Sequence, residues 1–217
     1  MLYLHIFFLL LNLLVCNSSK ILYKEDFLLG SNDWIIIGNN NIGNNGIKII
    51  KESIFAPYSI TRGDNKIVAN RYIVCDDKLI NVNPINSQPD DANLWYFKKV
   101  FEKPLNLKEA TVLELILIPF VGNFTPNNLN RKNNPLVKLV NSQGLLVETN
   151  HNLFTQLDIS NGYKFNIPLV DKALAYSEDK KDTNIQDILS SLKEIHILGD
   201  WTRGYEVVGL DDVIFYG

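Results

Sequence analysis

The chain has 217 residues, 46% of them hydrophobic and 21% charged, and a net charge of −3. That is an ordinary globular mixture, large enough to bury one sizeable core. Its Lys and Arg residues are scattered among acids, which argues against a nucleic-acid partner, because phosphate binding needs clustered cations.

Residues 2–15 form an apolar run interrupted by His5 and Asn12 and followed by Cys16-Asn17-Ser18-Ser19. The run is too short to span a bilayer and sits where the h-region of a signal peptide belongs. The expectation is a signal peptide over residues 1–18, cleaved near Ser18, and one domain over residues 19–217. No other stretch is long and apolar enough to cross a membrane. Cys16 falls in the leader, so Cys75 is the one cysteine of the mature chain. It follows the apolar Tyr72-Ile73-Val74 and reads as a buried thiol.

Ile21 to Phe27 reads as an opening strand, and Trp34 to Gly38 as a compact apolar one. Asn45-Gly46 is a hairpin signal, since both residues tolerate positive φ; Ile47 to Ile54 resumes a strand. Gly38, Gly43 and Gly46 are followed by no Gly-Lys-Ser/Thr, so they make no phosphate loop. Arg62-Gly63-Asp64 matches an adhesion tripeptide, but it reads as an ordinary turn between strands. Ile67 to Cys75 is the next strand, and Asn81 to Asp91 a polar loop.

The aromatic strand Leu94 to Phe101 and the most apolar strand, Val112 to Pro119, come next; Glu114 within the latter is expected on an exposed sheet face. Phe120 to Pro135 is a second long loop, and its Asn123-Phe124-Thr125 is an N-glycosylation acceptor, with Pro126 directly after it. Leu136 to Val140 and Leu145 to Val147 flank a glycine-containing turn, a hairpin. Asn161-Gly162 turns into the strand Tyr163 to Ile167. Tyr176 to Asp182 is charged and solvated. Thr183 to Gln186 fits a capping box, and Ile185, Ile188, Leu189 and Leu192 share one helical face over roughly two to three turns. Ile195 to Leu198, Glu206 to Val208 and Asp212 to Tyr216 complete the strands. Short strands at regular turn spacing with one edge helix specify an all-β antiparallel sandwich or jelly roll.

Several pieces occur in an order that resembles the laminin IV type A (laminin B) domain. They are Trp95-Tyr96-Phe97 before Lys103-Pro104, the apolar Val112 to Ile118, the pair Leu136 to Asn150, Tyr163 to Leu169, the helix-then-strand Ile188 to Ile197, and Leu210-Asp211-Asp212-Val213. The closing Asp-Asp-Val strand and the opening Asp26-Phe27, Gly30 and Trp34 are also similar to the wider galactose-binding-like jelly rolls. There the first and last strands lie side by side. The resemblance implies a free-standing extracellular binding module. It also implies calcium as the one metal to consider, tying the first strand to the last, with Glu25, Asp26, Asp211 and Asp212 as candidate oxygen ligands. Solvated strand-end charges are the alternative reading of those acids.

No catalytic constellation stands out. The mature chain has two histidines, His151 in a turn and His196, which alternates with Ile195 and Ile197 and so points away from them. No Cys/His spacing supports zinc. The reading is a secreted, non-enzymatic module for an extracellular protein or glycan, in an adhesion or assembly role. It would bind through loops or one sheet face, with Trp95, Tyr96 or Trp201 as stacking candidates if exposed. The alternatives are a small secreted carbohydrate-active hydrolase and a structural subunit of a surface complex.

Overall fold

The computed structural model describes residues 20–27, 33–38, 48–50, 54–56, 72–76, 94–125, 129, 134–149, 162–176, 184–202 and 205–217. The apolar leader, the Asn45-Gly46 turn, Arg62-Gly63-Asp64, the 81–91 loop and His151 lie outside the described residues.

Among the described residues thirteen strands form two antiparallel sheets. In chain order they are β1 (Ile21–Glu25), β2 (Ile35–Gly38), β3 (Lys48–Ile50), β4 (Ile54–Ala56), β5 (Tyr72–Asp76), β6 (Trp95–Leu105), β7 (Val112–Val121), β8 (Val137–Asn141), β9 (Leu146–Thr149), β10 (Tyr163–Pro168), β11 (Leu174–Tyr176), β12 (Leu192–Leu198) and β13 (Val207–Tyr216). The first sheet runs β10-β7-β13-β5-β4, with β1 also beside β13; the second runs β11-β9-β8-β12-β6-β2-β3. This is the sandwich that the strand spacing predicts.

Alternation builds the core. Leu113, Leu115 and Leu117 of β7, Phe165 and Ile167 of β10, and Val208, Leu210, Val213 and Phe215 of β13 face the second sheet. Trp95 and Phe97 of β6, Ile195 and Ile197 of β12, and Val137 and Leu139 of β8 answer from the other side. The first sheet is apolar on its other face as well. There Tyr72, Val74, Ile116 and Ile118 form a second buried cluster with Phe120 and Val207 against it. A strand buried on both faces reads as a continuous apolar run, which is why β7 is the most apolar of the strands.

The structure differs from the sequence reading in five places. Val207 to Tyr216 is one strand and not two, because Gly209 to Asp211 also pairs with β7 and β5. Ile47 to Ile54 divides between the sheets: β3 pairs with β2, and β4 pairs with β5. The helix, α1 (Ile185–Leu189), is shorter than its apolar periodicity, because Leu192 already opens β12. Its capping box is made one residue later than expected. The Asn184 side chain accepts from Asp187 N at 3.0 Å, and the Asp187 carboxylate accepts from Asn184 N at 3.3 Å. Glu114 is only 9% exposed and lies 2.8 Å from Lys164 Nζ, so it is a covered ion pair and not a solvated carboxylate.

Other expectations hold. The β8–β9 turn is closed by Asn141, whose Oδ1 accepts from Gln143 N and Leu145 N at 2.9 Å each, and Gly144 supplies a positive φ of 76°. Cys75 is a buried thiol. The two chain ends of the domain are clasped, with Lys20 N donating to Gly217 O at 3.1 Å and Gly217 N to Lys20 O at 2.9 Å.

After β12 the chain passes under Trp95, and a Cβ on Gly199 would stand 1.8 Å from that ring. The following turn is fastened by Glu206, fully buried, whose carboxylate accepts from Trp201 N at 2.6 Å and Thr202 N at 3.0 Å. A carboxyl group buried at this depth is tolerated because backbone amides satisfy its oxygens. Gly199→Ala is expected to cost roughly 2–3 kcal/mol by overpacking, seen as a lower urea midpoint at unchanged slope. An unchanged midpoint would show that the ring is not seated on Gly199.

Candidate functional site

Because Ile195 and Ile197 point into the core, His196 points out of the second sheet. Register then fixes its neighbours: Lys98 of β6 on one side and Lys138 of β8 on the other. Lys138 in turn stands opposite Glu148 of β9. The result is a polar row crossing four strands. Lys98 Nζ is 2.8 Å from Glu194 Oε2, which is also 2.9 Å from His196 Nε2; Lys138 Nζ is 3.0 Å from Glu148 Oε1. Lys138 also lies 5.0 Å from the centre of the Tyr96 ring, a cation–π distance.

These side chains are 15–29% exposed, so the row is half-buried and held by its own contacts. Burial holds the His196 pKa below its ordinary value; the Glu194 hydrogen bond opposes this, and Lys98 and Lys138 add to it. Burial also works to raise Glu194, but the hydrogen bonds from Lys98 and His196 outweigh it and the carboxyl is lowered. Both shifts favour a neutral imidazole beside an ionised Glu194. Among the described residues no hydroxyl or thiol is hydrogen-bonded to His196, so its pairing with Glu194 is not extended to a nucleophile.

Trp95 and Trp201, the stacking candidates, are core residues with 1% exposure each. Trp95 packs edge-on against Phe97; Trp201 stacks on Phe165 and donates from Nε1 to Leu198 O at 3.2 Å. Neither ring offers a face to a sugar. Tyr96 is on the polar row but only 6% exposed. Asn123 is exposed just past β7, and its Oδ1 accepts from the Thr125 hydroxyl at 3.0 Å. The row itself escaped the sequence reading. Alternation predicted the outward His196, but Lys98, Lys138 and Glu148 reach it only through cross-strand register.

A second polar cluster lies where β1 meets β13. Asp211 and Asp212 sit at a register shift in β13, with Asp212 at φ 46° and its N–H donating to Asp211 Oδ1 at 2.8 Å. Lys24 Nζ stands 3.4 Å from Asp26 Oδ2 and 3.9 Å from Asp212 Oδ1. Asp211 is 2% exposed, and burial, helped by the Asp212 charge, pushes its carboxyl up to about 7. Asp212 is raised too, by burial first, against the pull of Lys24. Glu25 does not join them. It alternates to the side of Tyr23, whose hydroxyl donates to it at 3.4 Å and whose ring packs on Phe101 and Phe215. Among the described residues no three His, Cys, Asp or Glu side chains are grouped to hold a metal ion.

No protein-family profile matches the chain, and no curated protein matches it significantly. Solved structures do. The L4b domain of human laminin alpha-2 superposes with a TM-score of 0.53 at 12% identity, over 90% of this chain and 97% of that one. An exo-beta-agarase matches at 0.49 and 12% identity, over 91% of this chain and 25% of its own. The family 11 carbohydrate-binding module of a Clostridium thermocellum cellulosomal cellulase matches at 0.46 and 10% identity, over 92% and 94%. The laminin likeness that the sequence pieces point to holds at the level of the fold.

The raised Asp211 fixes the sign of a pH dependence. Its native pKa lies above the unfolded value, so the native state holds more protons between about pH 4 and pH 7 and stability falls as pH rises through that window. Asp211→Asn keeps an acceptor for the Asp212 N–H and removes the titration. It is expected to stabilise the protein at pH 8 by on the order of 1–2 kcal/mol and to change little at pH 4. Denaturant titrations at the two pH values check this; equal effects at both would contradict it.

Proposed function

We propose that the chain is a secreted, non-catalytic binding module whose ligand is a glycan or an extracellular protein, met by the outer face of the second sheet. The observation that carries the reading is the polar row Glu148–Lys138–His196–Glu194–Lys98. Each charge in it has a partner within the row, so it presents fixed donors and acceptors on rigid strands and leaves no carboxyl there free for acid–base work. Pre-ordered polar groups bind at a lower entropic cost than mobile ones. The laminin-domain fold and the apolar residues 2–15, which fit a signal peptide, support an extracellular place for it. Among the described residues no helix is long and apolar enough to cross a membrane.

Glycan and extracellular-protein arrays probed with the purified protein test this. A hit should weaken at least tenfold in the Lys98→Ala/Lys138→Ala double variant while melting stays within a few degrees. A hit indifferent to that variant moves the site elsewhere. Recovery only in a fixed stoichiometric complex favours a structural subunit instead. A second reading, a glycoside hydrolase, has one observation behind it: Asp211 near neutrality beside Asp212, two carboxyls with unlike surroundings. Turnover of a polysaccharide that Asp211→Asn abolishes would establish it and overturn the binding reading.

The same placement makes Asn123 the acceptor of an N-linked glycan, since it is exposed and already bonded to the Thr125 hydroxyl. Expression through a eukaryotic secretory pathway should give a glycosidase-sensitive mass increment that is absent from Asn123→Gln. An identical mass for both proteins would contradict this.

A further inference from the structure

We infer that the Lys24 ammonium is the cation of the β1–β13 corner, so that the tie between the first and last strands is metal-independent. The family resemblance implies calcium there, and the residues do not fit it. Calcium takes about six to eight oxygens at roughly 2.3–2.6 Å. Of the four candidate acids, Glu25 faces the opposite side with Tyr23. Asp211 Oδ1 is committed to the Asp212 N–H, and Glu114, the next carboxylate near Asp212, is held by Lys164 at 2.8 Å. What remains on the outer side is Asp26 and Asp212, one from each end of the tie, and Lys24 Nζ stands within 4 Å of both.

Sequence and register explain why this lysine reaches them. Lys24 pairs across the ladder with Ile214, so it points to the same side as the displaced Asp212. Asp26 follows directly after the end of β1, with its carboxylate 3.4 Å from the same ammonium. A four-carbon stem therefore delivers one positive charge to the gap between the acid that follows the first strand and an acid of the last. Lys24 also opposes the effect of burial on both Asp211 and Asp212, so its charge is felt by the whole corner. The groups are about a third exposed, so the contribution is that of a screened ion pair and not of a metal clamp.

Thermal melts of the purified protein and of Lys24→Met and Lys24→Arg test the inference. Lys24→Met keeps the stem and removes the charge. The wild type should melt at the same temperature, within about 1 °C, in millimolar calcium and in excess chelator. At pH 7.5 Lys24→Met should melt about 1–4 °C lower, the span a screened pair produces in a domain of this size, and Lys24→Arg should recover most of the loss. A wild-type melt that rises by several degrees with calcium would overturn the inference. So would a Lys24→Met that melts with the wild type at pH 7.5.

Discussion

The rest of the structure depends on β13, the last strand, being hydrogen-bonded along both edges. On one side it pairs with β7 from Val207 to Tyr216; on the other, β5 takes its first half and β1 its second. Its inward residues Val208, Leu210, Val213 and Phe215 are all buried against the second sheet. One strand thus joins the first, middle and last parts of the chain into one sheet and also supplies a large share of the inter-sheet core. The register shift between Asp211 and Ile214 lets it do both: one extra residue brings Val213 and Phe215 back into phase with the core after Leu210. The cost is local, since it places Asp211 in the interior and Asp212 at positive φ.

The second sheet has a different economy. Its inner face is as apolar as the first, but its outer face collects charge, and it does so in pairs across strands. Paired charges on rigid strands make a surface that is ordered without being strongly charged, in keeping with the chain's small net charge. Such a surface selects partners by the placement of hydrogen bonds more than by long-range attraction. The acidic corner of the first sheet is of another kind: carboxyls there outnumber cations, and burial pushes two of them toward neutrality.

Much of the fold was legible because alternation and turn chemistry are local. The run Val112 to Ile118, the Asn141–Gly144 turn and the outward His196 all follow from neighbours within a few residues. What was not legible depends on partners far along the chain. Glu206 to Val208 and Asp212 to Tyr216 read as separate strands, because the glycine and the acid in Gly209 to Asp211 carry little strand signal; two flanking strands, β7 and β5, impose the conformation. Leu192 has the helical spacing of α1 yet belongs to β12, because pairing with β6 and β8 outweighs one more turn of helix. Trp95 and Trp201 carry no mark in sequence that tells a core ring from a sugar platform. The polar row is the same case: its members lie on four strands, and only register brings them together.

The central claim is that β13 holds the sandwich together as one unit. Native-state hydrogen exchange measures this most directly, because an amide that opens only when the whole domain unfolds reports the global stability. The amides of β13 from Val208 to Asp211, those of Leu113 to Leu117 in β7 and those of Ile195 to Ile197 in β12 should share one slowest class, matching the unfolding free energy from denaturant. If the β13 amides exchange in a faster class while β6 and β12 stay protected, the first sheet opens on its own and the account is wrong.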